Sequence, residues 1–451
     1  MPVSARANQT FHPRTRRAAV SALAVAALAG SAAGCAATSS GATSASSSAP
    51  ASTPAASAGT GTKPAPAGSP APASPGSAAS CAANPSSVTA TAPAGANAGV
   101  GQGAPALAAV QFTDPGHGWV AGAGRIMATS NGGASWSRQY AGSADLDQVD
   151  FIDSQHGWAA GGGALLRTTN GGASWAALAE PCQGDLTSVH FVSPAVGYAV
   201  AAKTTGDSAA AQPSGGQDTT ALGGSLVRTT DGGSTWSPVA GAPANPQSAC
   251  FASADDGYLG TPARIWRTTD GGQHWTLALT EPTATGNPAA NGTDTPEIEC
   301  AGASGLWALF LGQGAAMEHE PYLAYASQDG RAWHGVLEQQ YTESALRPAL
   351  KLPEGPGSYP GPFSAIDGGS AVFVGYTPPL GYGAAPVMLA SDNGYHLDGE
   401  GNVGAINQPM AAAFLSQDQG WVVGENLKTH AFDVEATSDA GHSWTTQYTV
   451  G

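Results

Sequence analysis

One eight-residue phrase recurs along the last three quarters of this chain, and it limits the fold more than any other feature. It reads Thr129-Ser130-Asn131-Gly132-Gly133-Ala134-Ser135-Trp136, and it returns from Thr168 to Trp175, Thr229 to Trp236, Thr268 to Trp275 and Thr437 to Trp444. Two altered copies lie between the fourth and the last: Ser327 to Trp333 is one residue short, and Ala390 to Leu397 lacks the Trp. Such self-similarity marks a chain built from small units that bury their apolar faces only against their neighbours. The Asx-Gly-Gly step inside the phrase is a turn, because Gly adopts positive φ at no steric cost and an Asx side chain bonds nearby backbone N–H groups. The Trp then opens the next strand. Repetition in every unit suits a folding role, so Asn131, Trp136, Asn170, Trp175, Asp231, Trp236, Asp270, Trp275, Asp439 and Trp444 are read as structural.

A second signature precedes each phrase, an aromatic residue followed six and seven positions later by Gly and another aromatic. It appears as Phe112 with Gly118-Trp119, Phe151 with Gly157-Trp158, Phe191 with Gly197-Tyr198, Phe251 with Gly257-Tyr258, and Phe414 with Gly420-Trp421. The altered units keep fragments, Cys300 with Trp307 and Phe363 with Gly369. Within the third unit, short apolar runs at Thr187 to Val192, Gly197 to Ala202, Ser225 to Thr230 and Thr235 to Val239 are bounded by turn residues. Four short antiparallel strands in a unit of this length make a propeller blade. The predicted fold is all-β: a seven-bladed β-propeller of four-stranded antiparallel blades spanning residues 105–451.

The phrase resembles the Asp-box, or BNR, repeat, Ser/Thr-x-Asp-x-Gly-x-Thr/Ser-Trp, which Thr229 to Trp236 matches in full. Asp boxes occur in sialidases, xyloglucan hydrolases, the sortilin ectodomain and the photosystem II stability and assembly factor family. With the upstream Gly-aromatic element and the Arg-Thr-Thr-Asp-Gly-Gly wording, the chain is most similar to the last of these. That resemblance implies a scaffold that helps to assemble or stabilise a membrane complex, and one propeller fold carries many activities.

The first quarter is of another kind. Residues 1–35 hold Arg6, Arg14, Arg16 and Arg17 with no acid, then an apolar run from Ala18 to Gly30, the layout of a secretory signal. Ala32-Ala33-Gly34-Cys35 resembles a bacterial lipobox, with Ala where the pattern prefers Leu, which makes Cys35 the expected lipidation site and start of the mature chain. Arg16-Arg17 leaves twin-Arg and general export both open. Residues 36–104 contain Lys63 as their one charged residue and are otherwise Ala, Ser, Thr, Pro and Gly with a few other uncharged residues, a disordered linker with nothing to bury. As a flexible coil it reaches roughly 45 Å. Cys81, Cys182, Cys250 and Cys300 permit two disulfides in an oxidising compartment, in any of three pairings, or free buried thiols.

Charge narrows the partners. The whole chain carries −16, and removal of residues 1–35 makes it −20, which excludes a nucleic-acid binder dependent on a basic stripe. No Cys/His spacing, phosphate loop or nucleophile elbow is present, so neither a metal nor a cofactor is expected. Strand parity places all Asp-box turns on one side of the ring and the long insertions on the other: Lys203 to Gly224, Glu281 to Glu297, Gly312 to Pro321, Glu338 to Pro362 and Tyr376 to Pro386. Variable loops on a rigid scaffold make a binding face. Its candidate residues are Glu318, His319, Glu320, Tyr322, Tyr341, Tyr376 and Tyr382. Arg167, Arg228 and Arg267 recur just before their Asp boxes and are expected to form one structural contact per blade. The predicted function is an exported, lipid-anchored binding scaffold for an envelope protein or cell-wall polymer. The alternative is a carbohydrate-active hydrolase, which needs two facing carboxylates that no spacing here singles out. Oligomeric state is left open by the sequence.

Overall fold

The computed structural model describes residues 89–90, 106–181, 184–202, 224–281, 295–302, 305–311, 322–339, 352–357, 359–376, 385–391 and 396–451. Seven antiparallel sheets follow one another along the chain, at 109–141, 148–178, 185–238, 248–280, 295–339, 359–402 and 408–450, and each is a continuous four-stranded meander. The first strand of every blade touches the first strand of the next, and the last blade's, Gln408–Phe414, touches the first blade's, Ala109–Phe112. The ring is therefore closed, and among the described residues no blade borrows a strand to close it. Thr89–Ala90 instead adds a fifth strand to the outer edge of blade 2, opposite Ala176 and Trp175. In blade 3 the strands are Asp185–Phe191, Gly197–Ala202, Ser225–Thr229 and Ser237–Pro238, close to those predicted.

The Phe-Gly-aromatic signature is explained by packing between blades. Phe112 lies directly opposite Gly118 in the hairpin of the first two strands, and a Cβ at Gly118 would clash with three carbons of the phenyl ring. Gly157, Gly197, Gly257 and Gly420 carry the same constraint against their own Phe. The aromatic after the Gly then stacks on the Phe of the following blade: Trp119 on Phe151, Trp158 on Phe191 and Tyr198 on Phe251, with centroids 3.5–3.6 Å apart. Trp421 closes the circle on Phe112 at 3.5 Å. In blades 1, 2, 3 and 7 the Asp-box Trp approaches the Phe of its own blade edge-on, as Trp175 does on Phe151 at 5.8 Å.

A ring of side-chain latches joins the inner strands. The residue before the signature position reaches the backbone of that position in the next blade: Gln111 exchanges two hydrogen bonds with Phe151, Asp150 accepts from Phe191 N–H, and His190 Nε2 lies 2.7 Å from Phe251 O. Glu299 accepts from Ala365 N–H and Ser364 from Phe414 N–H. These bonds occupy inner-strand backbone groups that an open edge would expose. Between blades 4 and 5 the same position is covalent, a Cys250–Cys300 disulfide. Cys81 and Cys182 lie outside the described residues.

This register corrects the reading of blade 6. Phe363 pairs with Phe373, and Gly369 sits in a tight turn between Asp367 and Ser370, so the two do not form the signature. The equivalent residue is Ala365, which receives the Glu299 latch and packs beside Trp307. In blade 5 the small Cys300 stands where blades 1 to 4 and 7 have Phe, and the residue opposite grows from Gly to Leu306 in compensation.

Candidate functional site

The two sides of the ring are built differently. On the first, the Asp-box turns form one repeated hydrogen-bond unit. The buried Thr168 hydroxyl donates to Asn170 Oδ1 at 3.0 Å and accepts from Gly172 N–H at 2.8 Å, while Asn170 Oδ1 also accepts from Ser174 N–H at 2.9 Å. The same set is made around Asn131, Asp231, Asp270 and Asp439. Gly132 and Gly133 have φ of 69° and 92°, the left-handed region the turn requires. Each turn is tied to the turn between its blade's first two strands, as in Gly171 N–H to Gln155 O at 2.9 Å. Both connections thus share one side.

Adjacent Asp boxes on this side are also bridged. Arg167 sits 5.7 Å over the Trp158 ring and donates to Pro194 O and Asp231 O of the next blade. Arg267 stacks on Tyr258, pairs with Asp256 at 3.0 Å and donates to Asp329 O. In blades 1 and 7 a glutamine from the outer strand takes this role: Gln139 accepts from Trp119 Nε1–H and donates to Gly171 O, and Gln447 accepts from Trp421 Nε1–H and donates to Gly132 O. The cross-strand partners of Trp119 and Trp421 are Ala128 and Ala436, where the arginine blades have Arg. Sequence reading found the arginines and missed the glutamines, whose signal is this exchange.

The opposite side receives the insertions. Residues 203–223, 282–294, 312–321, 340–351 and 377–384 lie outside the described residues, and the strand ends they join all open on this side, in blades 3 to 6. The corresponding connections of blades 1, 2 and 7 are short turns at 123–124, 162–163 and 427–430. Glu318, His319, Glu320, Tyr341 and Tyr382 fall outside the described residues, and Tyr376 is the last residue of the strand Ser370–Tyr376. Tyr322 is a correction: it begins the strand Tyr322–Ser327, is 1% exposed, and its hydroxyl donates to Pro356 O at 3.1 Å. It clamps the segment 352–357 onto blade 5 and offers no surface to a ligand.

The described part of this side and the inner wall hold acids in unusual settings. Burial, reinforced by repulsion from Asp185, pushes Glu180 up to about 7. Burial likewise raises Asp147 and Asp150. Glu299 is pushed up to about 8, first by burial and further by the like charge of Glu297, against the lowering pull of the Ala365 N–H. The Asp boxes run the other way: hydrogen bonds from His274 hold Asp270 near 2, and those from Ser443 do so for Asp439. Among the described residues, no group of three or more His, Cys, Asp or Glu could hold a metal ion.

These opposed shifts fix a pH profile. An acid whose pKa is raised by folding gives stability that is full when protonated and is lost as pH rises from its unfolded value, about 4.5, towards its folded one. The lowered Asp-box acids lose stability as pH falls below about 4. The melting temperature is therefore expected to peak at about pH 4–5 and to decline through about pH 8. Glu299→Gln keeps an acceptor for Ala365 N–H and is expected to make the upper limb shallower, most of all above about pH 7, and to leave the acid limb unchanged. A profile level from pH 5 to 8, or one unchanged by the substitution, would remove Glu299 from this account.

Fold and repeats together define the class: a seven-bladed β-propeller of Asp-box blades. Residues 102–189 match the family described as "Photosynthesis system II assembly factor YCF48", and over that stretch the chain resembles the family. No curated protein matches the chain. Among solved structures, "YCF48 bound to D1 peptide" aligns at 14% identity and a TM-score of 0.45, over 72% of this chain and 91% of that one. The GH74 enzyme of Niastella koreensis aligns at 13% identity and a TM-score of 0.50, over 76% of this chain and 54% of its own. The GH74 xyloglucanase of Xanthomonas campestris aligns at 14% and 0.48, over 76% and 55%. This chain spans about half the length of those two enzymes, and the likeness is one of fold.

Proposed function

We propose that this chain is an exported, lipid-anchored propeller scaffold that captures a cell-envelope protein on its insertion-bearing side and serves the assembly or stability of a membrane complex. One observation carries the reading: the Asp-box side is built of one repeated turn, bridged by Arg or Gln at four of its seams, whereas the insertions gather on the other side, in blades 3 to 6. A rigid ring with growth confined to one sector of one face is how a scaffold displays recognition loops. The match of residues 102–189 to an assembly-factor family supports the assembly role. The Cys250–Cys300 bridge suits an oxidising compartment, and the signal-like residues 1–35 ending in Cys35 suit a lipid anchor. Asp147 and Glu180 on the recognition side favour a partner that brings cations or hydrogen-bond donors.

In-cell crosslinking of the tagged full chain, followed by mass spectrometry, is expected to recover one reproducible envelope protein that an unrelated lipoprotein bait does not. Shortening residues 203–223 and 340–351 together is expected to abolish that capture while the melting temperature stays within a few degrees. Capture that survives the deletions would overturn the assignment of the face. Turnover of a glycan panel by the purified protein, lost on a single acid-to-amide change, would replace the scaffold with a hydrolase. Palmitate labelling is expected to vanish in Cys35→Ala, and persistent labelling would remove the anchor.

A further inference from the structure

The Asp-box side has an irregular seam between blades 3 and 4. Three positions after its Asp-box Trp, blade 3 has Val239 where blades 1 and 7 have the latching glutamines Gln139 and Gln447. Arg228 stands where Arg167 and Arg267 do, and it stacks 5.5 Å over Tyr198. Its guanidinium also bonds the Tyr198 hydroxyl of its own blade, and among the described residues it makes no hydrogen bond to blade 4; its Nε is buried without a partner. The carbonyl equivalent to the one Arg167 reaches is Ala254 O, already taken by the Tyr198 hydroxyl at 2.7 Å. The outer strand is short here, Ser237–Pro238: Val239 N–H still bonds Leu226 O at 2.9 Å, and the chain then turns away, with Ala242 N–H bonded to Val239 O. A cavity of about 300 Å³ results, lined by Arg228, Thr230, Ser237, Pro238, Val239 and Gln273 among others.

We propose that this cavity binds a small monocarboxylate, held by the Arg228 guanidinium with the Thr230 and Ser237 hydroxyls. A guanidinium fork matches the two oxygens of a carboxylate, and its charge makes those hydrogen bonds strong ones. Neither hydroxyl makes another hydrogen bond among the described residues. Pro238 and Val239 form an apolar wall for the aliphatic part of the ligand. The volume lies at the lower end for small-molecule sites, which selects an acid about the size of a single residue. Charge selects a monoanion: Asp231 and Asp270 belong to the two Asp boxes of this seam, and although each is bonded within its own turn, to Thr235 and to His274, both repel phosphate or sulfate. The site lies on the side opposite the insertions, so its failure would leave partner capture untouched.

Ligand-observed NMR on the full chain tests this with N-acetylglycine against its neutral amide. The acid is expected to bind at least about tenfold more tightly than the amide, and Arg228→Ala is expected to remove that preference. The double substitution Arg228→Ala with Val239→Gln installs the glutamine latch of blades 1 and 7. It is expected to fold with the wild-type melting temperature or above and to bind no acid. Equal binding of acid and amide, binding retained by the double variant, tighter binding of inorganic phosphate, or no binding of the acid up to about 50 mM would each overturn the site.

Discussion

Trp421→Ala is expected to destabilise the propeller by about 3–5 kcal/mol, because it empties the seam at which the two ends of the ring meet. The indole is 1% exposed and stacks on Phe112 at 3.5 Å, with planes 7° apart. Its Nε1–H also donates to Gln447, which carries the contact on to Gly132 O of blade 1. Ala413 occupies the inner-latch position of blade 7 and has no side-chain group to bond Phe112, so the stack and the glutamine carry much of the closure. Trp158→Ala, at a seam between consecutive blades, is expected to cost a similar amount in a denaturant titration. The two should differ in hydrogen exchange. Loss at Trp421 separates blades that lie more than 300 residues apart in sequence, and protection should fall first in Ala109–Phe112 and Gln408–Phe414. Loss at Trp158 leaves its blades joined by a short connection, and protection should fall more evenly. A Trp421→Ala protein within about 1 kcal/mol of the parent would mean that the ring does not depend on this closure.

The parts of the molecule that repeat are the parts its sequence discloses. Thr168 to Trp175 reads as a turn because every residue in it answers a local demand, and such demands hardly depend on the rest of the chain. The Phe151–Gly157 spacing is legible because six residues is the distance between opposed positions across that hairpin. Blade 6 shows where this fails. Its first turn is shorter, so Phe363 and Gly369 mimic the spacing without the pairing, and the true inner position is an unmarked Ala365. Tyr322 borders the insertion Gly312 to Pro321 and so reads as part of the binding face, yet it opens the next strand and its ring is buried. Gln139 and Gln447 look like ordinary surface residues until Ala128 and Ala436 are set beside Arg167 and Arg267. The recognition side is legible as a face through strand parity alone. Its contacts are not, because insertions such as 203–223 and 312–321 carry no repeat to compare.

Reducing the Cys250–Cys300 bond, or replacing both residues by Ser, is expected to remove about 4 kcal/mol of stability, the chain-entropy value for the 50-residue separation it closes. The melting temperature should fall by about 5–10 °C. The bond matters more here than a loop of that length alone implies. At the seams into blades 1 to 4 a Trp or Tyr stacks on a Phe, but Tyr258 of blade 4 faces a blade whose signature residue is Cys300, so the bridge stands in for both the stack and the inner latch. Reduction should accordingly loosen Gly257–Thr261 and Thr295–Ala301 before other strands, seen as faster hydrogen exchange in those peptides. The same logic predicts a rescue. Cys300→Phe requires a glycine opposite it, so Cys300→Phe with Leu306→Gly and Cys250→Gln rebuilds the arrangement of blades 1 and 2 and should recover at least half of the loss without any covalent bond. Oxidised and reduced proteins that melt within about 1 °C of each other would show that the seam holds by packing alone. If the fall is as expected and the rebuilt signature restores it under reducing conditions, the disulfide is one of two interchangeable ways to close the same joint, and only this one requires the chain to mature where thiols are oxidised.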